Sequence, residues 1–168
     1  MTDKIYALIL AAIFILHNIE EYLSFDKMPK ISLMNLLGKK IVTRHSFLFA
    51  ITFLSFFVLA IGALNYLSEN PIFYQINILV LFSLAINALQ HLILSLKERR
   101  IMPGTLTAAL LILPCSILYT MKLFESSKLD SWSFLKYALL SPIVMFISIY
   151  ISLWLGYLLT KSTYKKGD

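Results

Sequence analysis

The chain has 168 residues, 59% of them hydrophobic and only 14% charged, with a mean hydropathy of +0.79. A soluble domain of this length would be about a quarter charged, so the composition excludes one and points to an integral membrane protein. The net charge of +6 falls mainly in the loops between apolar runs, where it sets topology and meets anionic lipid rather than nucleic acid.

Five runs approach or exceed the ~20 residues needed to cross a bilayer, at about 5–23, 46–67, 72–96, 105–124 and 135–159. The fold class expected is an all-α, polytopic transmembrane bundle forming one membrane domain, 1–168. The first run is barely long enough and could pass for a signal peptide, but no small-residue cleavage pattern follows it. Residues 24–45 are too polar to span, and 31–37 suit a short helix lying at the interface. Ser68-Glu69-Asn70-Pro71 reads as a tight turn and Pro103-Gly104 as a chain break. Pro114 and Pro142 fall inside the fourth and fifth runs, where each suggests a kink. Cys115 is the only cysteine, which excludes an intramolecular disulfide and a thiolate zinc cluster.

Five spans put the first loop, the loop after span three and the C-terminal tail on one side. That side carries eleven of the fifteen Lys and Arg residues. It is therefore expected to be cytoplasmic, with the N-terminus outside, in an inner or plasma membrane of bacterial type.

Span one ends in a polar cluster, Leu16-His17-Asn18-Ile19-Glu20-Glu21-Tyr22. A charge within a span costs ~2.5–3.5 kcal/mol on insertion scales, so a cluster there implies use. On a helix Glu20 lies about 60° to one side of His17 and Glu21 about 40° to the other, so all three point one way and Ile19 points away. Span three carries Asn87 and His91, four residues apart and so on one face, in a row that Ser83 and Ser95 extend. Span two opens with Arg44-His45. His17 lies about 9 Å, and His91 about 7.5 Å, from the cytoplasmic ends of their spans. Arg44 and His45 enter from the same side, so three separate runs bring polar groups to one level.

These motifs resemble the HXXEE family of small membrane proteins, marked by His-x-x-Glu-Glu, an arginine and Asn-x-x-x-His. Here they match His17/Glu20/Glu21, Arg44 and Asn87/His91 over roughly the first three spans. The resemblance implies a site made of these residues and an enzymatic activity, and it names no substrate.

Imidazole and carboxylate donors suit a divalent zinc or iron better than a soft metal. The ligands expected are His17, Glu20 or Glu21, and His91, with the second glutamate as general base. Asn87 would orient substrate or water, and Arg44 and His45 would bind substrate. The function expected is a metal-dependent hydrolase acting on a lipidic or membrane-dissolved substrate from the cytoplasmic side. Its partners would be membrane lipids, and no nucleic acid. Two alternatives stay open: a metal-free acid/base isomerase of an isoprenoid or sterol, and an ion or proton carrier.

Overall fold

The computed structural model describes residues 3–27 and 41–164. Among them there are helices and no strand, and five helices are long and apolar enough to cross a membrane. We label them α1 (Asp3–Leu23), α2 (Arg44–Leu67), α3 (Pro71–Glu98), α4 (Thr105–Glu125) and α5 (Ser131–Tyr164). A short 3-10 turn, Phe25–Lys27, follows α1. The interfacial helix expected at 31–37 lies outside the described residues.

Three of the five starts have a local cause in the sequence just before them. Thr43 caps α2 in a capping box: its hydroxyl accepts the Ser46 amide at 3.1 Å, and the Ser46 hydroxyl accepts the Thr43 amide at 2.8 Å. Asn70 caps α3 by accepting the Ile72 amide at 2.9 Å, and Pro71 occupies the first helical position, where its missing N–H is no loss. This is the turn expected at Ser68–Pro71. Asp130 accepts the Ser133 amide at 2.7 Å ahead of α5, which begins four residues before the apolar run does.

The largest irregularity is in α4. Residues Ala108–Ile112 form a π segment, closed by the Leu113 amide on the Ala108 carbonyl. Pro114 explains it. The ring has no N–H to offer and would collide with the carbonyl four residues back, at Leu110, and widening the turn by one residue relieves both problems.

The core joins α1, α3 and α4. Ala7, Leu10, Ala11 and Phe14 of α1 pack with Ile78, Leu81 and Ala88 of α3 and with Ala108, Ile112 and Leu123 of α4. Small residues allow the closest approaches, as expected between helices in lipid. A Cβ at Gly62 would lie 3.3 Å from the Ala7 carbonyl oxygen, and one at Gly156 only 2.7 Å from that of Ser46. The outside is apolar in turn, with Phe56 at 72% exposure and Leu67 at 79%, the inverse of a soluble surface. The C-terminal ends of α1, α3 and α5 and the N-terminal ends of α2 and α4 meet at one end of the bundle. That end carries Lys27, Arg44, Lys97, Arg99, Arg100 and Lys161, and we call it the basic end.

Candidate functional site

At the basic end, α1, α3 and the start of α4 bring together His17, Glu21 and His91. One ligand atom from each lies within 4.8 Å of the others. Glu21 Oε1 is the shared atom, 2.9 Å from His91 Nε2 and 3.8 Å from His17 Nε2. The two imidazoles meet edge to face with ring centroids 4.9 Å apart. His17 is fully buried, whereas Glu21 and His91 keep 13% and 15% side-chain exposure. The cluster is therefore closed at His17 and slightly open at Glu21 and His91. Asn87 Nδ2 lies 3.2 Å from His17 Nε2.

Glu20 takes a different direction. Its Oε2 accepts the Thr107 amide at 2.9 Å and the Thr107 hydroxyl at 2.6 Å, and its Oε1 accepts the Leu106 amide at 3.3 Å. It thus satisfies the open N–H groups of the first turn of α4, where a negative charge also meets the positive end of the helix dipole. Both glutamates leave α1 within one arc, yet only Glu21 reaches the imidazoles.

These contacts, with Glu20 ionised, are best satisfied by one tautomer. A carboxylate only accepts, so the Thr107 hydroxyl donates to Glu20. Its oxygen then accepts from His17 Nδ1, 2.9 Å away. His17 therefore carries its proton on Nδ1, as the hydrogen-bond network assigns it, and Nε2 presents a lone pair. That lone pair accepts from the Asn87 amide at 3.2 Å, and Glu21 Oε1, 3.8 Å away, pairs with His91 Nε2 at 2.9 Å.

Gly104 closes the cluster. Its φ of +80° is the left-handed conformation that favours glycine. A Cβ there would lie 2.7 Å from His17 Cε1, 3.0 Å from Glu21 Cγ and 3.1 Å from His91 Cε1. The backbone of this one residue is packed against all three side chains. Ser95 anchors the same turn, with its hydroxyl 2.6 Å from that of Thr105 and accepting the Met102 amide at 3.0 Å.

Arg44 and His45 are not brought to the cluster. The Arg44 guanidinium lies 3.6 Å from Asp26 and over the Tyr22 ring, and His45 is exposed. Of the polar row on α3, Ser83 bonds to backbone, donating to Leu79 at 2.8 Å. Asn18, beside the motif histidine, is buried and turned to α2, donating to Ser55 at 2.8 Å. Sequence reasoning missed Thr107 and Gly104. Their one signal was the Pro103-Gly104 break followed by Thr105-Leu106-Thr107, a hydroxyl-rich helix start.

The donors suit a small cation. Zinc–ligand bonds of ~2.0–2.2 Å put tetrahedral ligands roughly 3.3 Å apart; the two distances from Glu21 Oε1, 2.9 and 3.8 Å, lie on either side of that value, and the whole set falls within 4.8 Å, so the two imidazoles would close in slightly on an ion. His17 meets the further requirement that a ligating imidazole donate its other N–H to a fixed partner, here Thr107 backed by Glu20. Without a cation, Glu21 and His91 form a hydrogen-bonded acid/base pair.

A cavity of about 210 Å³ runs from the cluster into the bundle between α2, α3 and α5, with Glu21, Asn87, Gln90 and His91 in its wall. Most of the remaining lining is apolar. A family model described as "Protein of unknown function with HXXEE motif" matches residues 8–119. The matched stretch extends past the expected three spans and takes in the Gly104–Thr107 turn as well as His17, Glu20, Glu21, Asn87 and His91. No curated protein and no solved structure matches the chain. A motif that fixes one glutamate on the imidazoles and the other on α4, within a match covering two-thirds of the sequence, places the chain in the HXXEE-motif family.

Proposed function

We propose that the protein is a membrane-embedded, metal-dependent hydrolase acting on a lipidic or membrane-dissolved substrate at its basic end, which the positive-inside rule puts on the cytoplasmic side. One observation carries the reading. One ligand atom each from His17, Glu21 and His91, on two helices, lies within 4.8 Å of the others. A divalent cation fits among them.

His17, Glu21 and His91 would hold the ion, leaving a fourth position open in the manner of catalytic zinc sites. A zinc or iron bound there supplies a Lewis acid and a water acidified toward neutral pH. The remaining roles belong to the chain itself. Thr107 and Glu20 hold the His17 ring in one tautomer. Asn87 orients the group that approaches His17. With both Glu20 oxygens engaged by α4, the Glu21 carboxylate oxygen that does not hold the ion would be the group left to take a proton at the cavity. The apolar cavity takes the hydrocarbon part of the substrate, and the positive charge of Arg99 and Arg100 at the same end of the bundle attracts an anionic headgroup.

A metal-free reading is favoured by the 2.9 Å contact of Glu21 with His91. That pair can donate and accept a proton within one apolar pocket, as isomerisation of an isoprenoid or sterol requires. An ion carrier is disfavoured, because Val58, Val80 and Met145 line the cavity away from the cluster.

Elemental analysis of protein purified without added metal tests the proposal. About one equivalent of zinc or iron per chain is expected. The Glu21→Gln variant should lose that metal and accumulate a co-purifying lipid that the wild type turns over. Folded, active wild type free of metal would move the assignment to the acid/base pair.

A further inference from the structure

We propose that the cavity holds one hydrocarbon chain of the substrate, and that Val58 and Val80 set how long that chain can be. This rests on the cluster being the reaction centre. On α3, Val80, Leu84, Asn87 and His91 all line the cavity. They follow one another by four, three and four residues, which keeps them on one helical face. Val80 is eleven residues from His91, a depth of roughly 16 Å at 1.5 Å per residue. On α2, Phe47, Ile51, Leu54 and Val58 line it with the same spacing. The helices are joined by the turn at Ser68–Asn70. Val58 lies ten residues before Ser68 and Val80 ten after Asn70, so they face the chamber at one depth. Glu21, Asn87, Gln90 and His91 are gathered near the other end; of the further polar groups in the wall, Asn18, Ser83 and Ser148, the first donates to Ser55 and the second to its own helix backbone.

A chamber with its charged groups at one end and a mostly apolar length fits an amphiphile with a single long chain, acyl or prenyl, its reacting group held at the cluster. Within a bilayer such a chain is already in an apolar medium, so entering the chamber gains little from hydrophobic transfer. What the walls add is fit. A chain that ends short of Val80 is accepted, and one that must push past it meets packed side chains.

The test measures binding of n-alkyl hydroxamates of increasing length, and of the matching n-alkyl alcohols, to the purified protein in nanodiscs. Wild type, Val80→Phe and Val80→Ala are compared. Partition into the bilayer is common to all three and cancels. The preferred length should shorten in Val80→Phe, with the longest chains weakened roughly tenfold or more by overpacking, and lengthen in Val80→Ala. One length ranking shared by all three folded proteins overturns the proposal. The alcohols keep this result separate from the metal assignment. Length shifts in both series, with hydroxamates no tighter than alcohols and indifferent to chelator, leave the chain site standing and remove the metal. Tight, chelator-sensitive hydroxamates with no length shift do the reverse.

Discussion

Changing Glu20 and Glu21 separately to Gln should give two different failures, although the residues are neighbours of one type. Glu21→Gln removes the only anionic donor among the three clustered groups, so metal should be lost on passage over a chelating column. Glu20→Gln leaves that cluster intact and strikes the start of α4. It removes a charge at a helix N-terminus, a contribution of about 0.3–1 kcal/mol and up to ~2 when partly buried. It also replaces one accepting oxygen with an NH₂ group, so at least one of the three donors from Leu106 and Thr107 loses a charged partner, at about 1.5–3 kcal/mol. Since the two effects overlap, a loss of about 2–3 kcal/mol is expected, seen as a fall of several degrees in unfolding temperature. Metal affinity should weaken by about 10–100-fold, as for other partners of a ligating imidazole. Chelator competition and thermal unfolding on the same preparations separate the two. If Glu20→Gln loses metal as completely as Glu21→Gln while unfolding no earlier than wild type, the division of roles is refuted.

Gly104→Ala should disturb the cluster from the backbone side, because the added methyl would sit 2.7 Å from His17 Cε1 in a left-handed residue. The expected result is at least a tenfold loss of metal affinity in a protein that still folds in membranes, measured by chelator competition; wild-type affinity would show that the turn is not packed as described. Reporter fusions at the two termini should place the N-terminus outside and the C-terminus in the cytoplasm. Both on one side would contradict five spans, and the reverse order would put the cluster on the outer face.

The five spans were legible because about twenty apolar residues in a row leave the chain few alternatives. Their ends were less so. α5 runs from Ser131 to Tyr164 because polar and aromatic residues at the interface continue a helix as readily as apolar ones do. Within the site, matching depth along the spans singled out His17, Asn87 and His91, and these do meet. Depth is one coordinate, however, and says nothing of the direction around each helix. Arg44 and His45 enter near that level, yet the guanidinium turns to Tyr22 and Asp26 while His45 faces outward. Glu20 and Glu21 flank His17 on a helical wheel, which called for two different roles without saying which residue took which. Only the position of α4 separates them, and α4 contributes a glycine backbone and a threonine, groups that no search for ionisable residues would select.

The spacing of the motif follows from that division. Two adjacent carboxylates on a buried helix face repel one another unless each has its own positive partner. At i+3 and i+4 from His17 they diverge by about 100°, enough for one to reach the first turn of α4 and the other the imidazoles. The α4 turn needs such a partner. It comprises only Thr105–Thr107 before the π segment interrupts the regular hydrogen-bond pattern, so its open N–H groups depend on help from outside. Glu20 supplies it from α1, and the Thr107 hydroxyl it captures is the group that orients His17. The cap that holds α4 in place and the proton that frees His17 Nε2 are therefore set by one carboxylate, so a Glu at i+3 is needed as much as the Glu at i+4 that meets His91.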